Sequence, residues 1–82
     1  MKLRIDAASG DNYRLRNWGN AAATGIRNVE PCGAVDDWPD SLSLRPGEAH
    51  PFMIAGDYDN QEPTQIRVTW DGQQEPVVLP VP

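Results

Sequence analysis

The segment Pro63-Thr-Gln-Ile-Arg-Val-Thr-Trp-Asp-Gly72 constrains the fold more than any other part of this chain. Ile66, Val68 and Trp70 alternate with Arg67 and Thr69, and an Asp-Gly pair then turns the chain. Alternation with period two places one set of side chains on a buried face and the other in water, which describes a half-buried strand. Asp-Gly supplies strong turn chemistry. A second alternating run lies at Tyr13–Asn17, with Tyr13 and Leu15 inward and Arg14 and Arg16 outward. A third follows Pro46-Gly47 and sets His50, Phe52 and Ile54 on one face. Strands recurring at roughly ten-residue spacing between turn signals predict a small antiparallel β-sandwich.

The remaining elements follow from the same reasoning. Leu3–Ala7 reads as a first strand, closed by Ala8-Ser-Gly-Asp-Asn12. Asn17-Trp-Gly-Asn20 reads as a turn, because Asn and Gly tolerate positive φ. Ala22–Val29 is a strand in which Ile26 and Val29 differ in parity, so a bulge or bend is expected. Glu30–Ser41 is irregular, with Pro31, Gly33 and Pro39, and reads as a long loop with room for a short helical turn. Leu42–Leu44 is a short strand entering Arg45-Pro-Gly-Glu48, whose Pro and Gly occupy the positions a type II turn prefers. Ala49–Ala55 carries Pro51, which lacks a ladder donor and so suggests an edge strand or a bulge. Gly56–Glu62 is a polar loop. Thr64–Trp70 and Val77–Val81 complete about seven strands in a single domain covering residues 1–82. The expected core is Tyr13, Leu15, Ile26, Leu44, Phe52, Ile54, Ile66, Val68 and Trp70.

With 82 residues the chain forms one domain, and a chain this short buries only about 60–65% of the surface its unfolded form exposes. Its net charge of −5 disfavours nucleic acid as a partner, because such binders need a basic face. The charge is also uneven. Residues 1–30 carry Lys2, Arg4, Arg14, Arg16 and Arg27 against Asp6, Asp11 and Glu30, giving +2; residues 31–82 sum to −7. Polarity of this kind suits side-by-side contacts between neighbours. The single cysteine, Cys32, excludes an intrachain disulfide. No run approaches the ~20 apolar residues of a membrane span. Met1–Asp6 lacks the apolar core of a signal peptide, so synthesis in a reducing cytoplasm is expected.

No catalytic signature is present, and the expectation is a protein without enzymatic activity or cofactor. Cys32 and His50 are the only thiol and imidazole, and nothing in their spacing supplies the third group that a nucleophile pair requires. Asp57-Tyr-Asp-Asn-Gln-Glu62 begins like a calcium loop, but it lacks the central glycine, and Val68 stands where the bidentate glutamate belongs. A solvated loop is the simpler reading, and no metal site is expected. Asp36, Asp37 and Asp40 cluster in sequence, yet so small a sandwich has little room for a catalytic cleft. Trp18 and Trp38 fall in turn or loop sequence, where an indole either caps the core or anchors an interface. The candidate partner-binding set is therefore Trp38, Asp36, Asp37 and Asp40 on the long loop, with Arg14, Arg16 and Trp18 as an opposite-signed patch.

Three stretches carry a family resemblance: Tyr13-Arg-Leu-Arg-Asn-Trp-Gly-Asn-Ala-Ala-Ala-Thr-Gly-Ile26, Leu44-Arg-Pro-Gly-Glu-Ala-His-Pro-Phe52, and Ile66–Gly72 with Pro76–Pro80. Together they resemble small immunoglobulin-like domains. Free-standing copies of this style look like short accessory proteins of bacteriophages that infect actinobacteria, including head decoration proteins. The resemblance implies an all-β immunoglobulin-like sandwich with a structural role. It also implies a major capsid or other virion protein as partner, self-association as a further option, and residence in the virion after synthesis in the host cytoplasm. Neither nucleic acid nor membrane is expected as a partner. A carbohydrate- or cell-surface-binding module of the same fold is the alternative.

Overall fold

The computed structural model describes residues 2–29, 34–56 and 61–82. Eight strands run in the order β1 (Leu3–Ser9), β2 (Asn12–Asn17), β3 (Ala23–Asn28), β4 (Val35–Asp36), β5 (Leu42–Leu44), β6 (Ala49–Ile54), β7 (Gln65–Thr69) and β8 (Val77–Pro80). They form two four-stranded antiparallel sheets, ordered β1-β2-β6-β4 and β5-β3-β7-β8. The architecture is an all-β sandwich, as the alternation predicts. The core lies between the layers: Leu3, Ile5, Leu15, Phe52 and Ile54 from the first sheet meet Ala23, Ile26, Leu44, Ile66, Val68 and Leu79 from the second. Phe52, the largest of these, stacks with Tyr13 at a centroid distance of 6.0 Å and meets Trp38 edge-on at 5.0 Å.

Several expectations hold at residue level. Gly47 has φ +81 and Glu48 N–H donates to Arg45 C=O at 3.0 Å, which closes the expected Pro-Gly turn. Gly72, at φ +89, serves the turn in which Gln73 N–H donates to Trp70 C=O. The irregularity expected in the third strand is a register shift between Ala23 and Ile26, where Gly25 takes φ +64. Gly25 is required twice over. Its φ disfavours a side chain, and a Cβ there would lie 2.5 Å from Asp71 Oδ1. Asp71 is itself held by Thr24, whose hydroxyl donates to Oδ2 at 2.9 Å and whose carbonyl accepts the Asp71 N–H.

Other expectations need correction. Tyr13 and Trp70 are half-buried at the rim of the core, and Leu3, Ile5, Ala23 and Leu79 take full core positions instead. Trp70 lies one residue past β7, where the chain is already turning. The segment 34–41 has no helical turn; Val35–Asp36 pairs with Ile54 and Met53 as β4. Pro51 is not on an edge strand, because β6 lies between β2 and β4. It is tolerated because Ile54 N–H donates toward β2, to Asp11 C=O. Backbone direction alternates along a strand, so the Pro51 nitrogen points to the other side. There the two-residue β4 reaches only Met53 and Ile54.

Asn17 also behaves differently from the sequence reading. It is fully buried, and no positive φ occurs between Asn17 and Asn20. Its Nδ2 donates to Ala21 C=O at 2.8 Å and to Leu44 C=O at 3.1 Å, while Oδ1 accepts Gly19 N–H at 3.1 Å. Asn17 thus ties the end of β2 to β5 in the opposite sheet. A buried amide with its hydrogen bonds made costs little; one left unpaired costs about 1–3 kcal/mol.

Candidate functional site

Strand pairing decides which candidate residues meet. Arg4 opposes Arg16 and Asp6 opposes Arg14 across β1 and β2. Trp18 N–H donates to Lys2 C=O at 2.9 Å, which carries the same ladder one step further. Directly opposed residues share a face, so Lys2, Arg4, Asp6, Arg14, Arg16 and Trp18 all belong to the outer face of the first sheet. The odd-numbered residues Leu3, Ile5 and Leu15 fill the core. The outer face of these two strands carries four cations and one anion.

Asp6 sits at the centre of this group. Its Oδ1 lies 3.0 Å from Arg4 Nε, and its Oδ2 accepts from Arg16 Nε at 2.9 Å. Arg16 Nη1 also donates to Gly47 C=O at 3.2 Å. A carboxylate shared by two guanidinium groups holds both side chains in fixed directions, although pairs this exposed add little stability. Trp18 stands in water at 48% exposure. Lys2 Nζ lies 4.6 Å from its ring centroid and Arg4 Cζ lies 6.0 Å away, a cation–π arrangement that orders the indole at the surface. Beside it, Lys2, Trp18, Gly19 and Asn20 line a shallow open groove of about 350 Å³.

The acidic candidates lie at the other edge of the same sheet. Asp36, on β4, opposes Met53 on β6, and Met53 in turn opposes Asn12 on β2, so Asp36 shares the outer face with the arginines. Its Oδ1 accepts the Asp37 N–H at 3.0 Å. Asp37 takes φ +63, and its carbonyl lies 3.3 Å from His50 Nε2. Asp36, Asp37 and Asp40 are all exposed. The outer face thus runs from a cationic side at β1 and β2, through Ala49, Pro51 and Met53, to an acidic side at β4.

Trp38 is placed differently. It is half-buried, packs on the core against Phe52, and has its Nε1 buried without a hydrogen-bond partner among the described residues. The structure therefore brings Arg14, Arg16 and Trp18 together, sets Asp36 and Asp37 across the sheet from them, and gives Trp38 to the core. Lys2, Arg4 and Asp6 join the site although the sequence reading omitted them. Their signal was available, since 2, 4 and 6 repeat the period-two spacing of 14, 16 and 18. Cys32, Glu30 and most of the calcium-like Asp57–Glu62 segment lie outside the described residues, as does Met1. Among the described residues no group of three or more His, Cys, Asp or Glu side chains could hold a metal ion. No helix there is long and apolar enough to cross a membrane. Compared with known protein families, with curated proteins and with solved structures, the chain matches none.

Proposed function

We propose that this chain is a non-enzymatic, immunoglobulin-like accessory protein of a phage particle that docks on the assembled coat through the outer face of β1 and β2. One observation carries the reading: an exposed tryptophan, steadied by two cations, on a rigid sheet face that also presents Arg14 and Arg16. Trp and Arg are the residue types that concentrate binding energy at protein interfaces. A strand-borne face is already ordered, so docking loses little conformational entropy. The surplus of positive charge selects an acidic patch on the coat and speeds encounter with it. A capsid or other virion protein that presents such a patch is the partner this face fits.

The groove beside Trp18 supports a second reading, a carbohydrate- or cell-surface-binding module. An indole face next to the Asn20 amide can stack on a sugar ring and hydrogen-bond its hydroxyls. Co-sedimentation separates the two. The purified chain should pellet with undecorated phage heads and stay in the supernatant with insoluble polysaccharide. Pelleting with polysaccharide alone selects the second reading; pelleting with neither removes both.

A further inference from the structure

The four edge strands of the sandwich are not equally protected against pairing with another chain. β4 has two residues and β5 three, and β5 runs into the Pro46-Gly47 turn. β8 has four, ends at Pro80 and follows Pro76. Short strands and prolines are the usual ways to blunt an edge. β1 has seven residues and no proline, and its ladder with β2 is regular from Leu3 to Ala7. β8 passes beside β1, but its ladder partner is β7.

The direction of the backbone groups on β1 that no described strand pairs follows from β2. Trp18 N–H points to β1, donating to Lys2 C=O, while Asn17 N–H points away, to Glu48 C=O. Alternation then assigns the backbone groups of Arg4 and Asp6 to β2, and those of Leu3, Ile5 and Ala7 to the open edge.

We infer that β1 is a self-complementary edge that pairs with β1 of a second copy, antiparallel about a two-fold axis at Ile5. An axis at an even residue falls on a non-hydrogen-bonded pair and sets Arg4 against Arg4 or Asp6 against Asp6 of the second copy, like charge on like, so the axis sits at an odd residue. An axis at Leu3 would set Lys2 against Arg4 of the second copy, like charge on like. An axis at Ala7 would set Asp6 against Ala8 and leave Arg4 beyond the pairing. An axis at Ile5 sets Leu3 against Ala7 and Arg4 against Asp6, twice each by symmetry. It exchanges about six backbone hydrogen bonds. The Arg4–Asp6 pairs then fall at the non-hydrogen-bonded positions, where opposed side chains come closest and opposite charges stabilise the pairing. Arg4 is half-exposed and already beside an Asp6 carboxylate, so it needs only to turn from its own Asp6 to the second copy's. The interface is isologous and closes at two copies. It joins the two first sheets into one of eight strands and sets both Trp18-bearing faces side by side, where a coat would be held at two points. The pairing does not depend on what that face binds.

Sedimentation of the full chain from about 1 µM to 1 mM should show a monomer–dimer equilibrium. Arg4→Asp, which places acid against Asp6, should weaken it roughly tenfold or more, as should Asp6→Arg. Mixing the two variants restores opposite charges at both positions and should restore dimer, which a merely structural role for either residue would not do. In the wild-type chain, amide exchange at Leu3, Ile5 and Ala7 should slow as concentration rises, while Arg4 and Asp6 stay protected throughout. The exchange pattern reads the pairing even if Asp6→Arg fails to fold. A chain that stays monomeric to about 1 mM overturns the inference, as does a dimer whose Leu3, Ile5 and Ala7 amides exchange freely. A monomer that still pellets with phage heads overturns this inference alone and leaves the proposed function standing.

Discussion

Trp18 and Trp38 look alike in sequence, each an indole in a polar, turn-rich stretch, and the fold gives them opposite roles. Trp38 follows β4 and lies edge-on to Phe52 at 5.0 Å, half-buried on the core. Trp18 continues the outer row of β2 and stands at 48% exposure beneath Lys2 and Arg4. The sequence reading offered both as interface anchors, Trp38 on the long loop and Trp18 with the basic patch. Register puts Trp18 on the outer face. A residue one step beyond a strand inherits the strand's parity, so 18 falls with 14 and 16 on the water side. The difference teaches that alternation carries past a strand end only while the backbone stays extended: Trp38 has the parity of the outward Asp36, yet it turns to the core after Asp37, whose φ is +63.

The contrast can be tested from the core outward. Phe52→Ala removes the ring on which Tyr13 and Trp38 both rest and should cost about 3–5 kcal/mol, most of the stability of so small a domain. Thermal melting would show it, and an unchanged midpoint would contradict the sandwich register. Gly25→Ala meets both a positive φ and the Asp71 carboxylate, and should cost about 2–3 kcal/mol. Trp38→Ala should cost about 2 kcal/mol, less than a fully buried aromatic because its ring is only half-buried. Combined with Phe52→Ala it should be clearly non-additive, since the two rings share one contact. Additive costs would separate Trp38 from the core and restore it as a free anchor. Trp18→Ala should stay within about 0.5 kcal/mol of wild type, as surface changes do. Raised salt should weaken attachment gradually while leaving melting nearly unchanged, because the cations of this face are exposed and screened.

How much of this was legible follows from how local each signal is. Period-two alternation is local, so Tyr13–Asn17, Ala49–Ile54 and Gln65–Thr69 could be read directly, as could the Pro46-Gly47 turn. The bulge or bend expected within Ala22–Val29 lies at Gly25, although Ile26 and Val29, whose parity suggested it, alternate regularly as a buried and an exposed residue. β4 could not be read, because two residues carry no periodicity and Val35–Asp36 becomes a strand only through Met53 and Ile54. Pro51 misled because the rule that sends proline to an edge acts on one backbone nitrogen rather than on a whole strand. Asn17 misled because its turn chemistry masks its bonds to Ala21 and Leu44, and Leu44 is remote in sequence. For the site, Arg14, Arg16 and Trp18 were visible as one row, whereas their union with Lys2, Arg4 and Asp6 required the β1–β2 register.

The central claim is that the outer face of β1 and β2, with Trp18 as its anchor, is the surface that docks. Its most direct test is co-sedimentation of the wild-type, Trp18→Ala and Trp38→Ala chains with undecorated phage heads, at a temperature where melting shows all three folded. Attachment lost with Trp18→Ala and kept with Trp38→Ala is the predicted result. Attachment kept with Trp18→Ala and lost with Trp38→Ala would contradict the account and move the docking surface to the β4 edge.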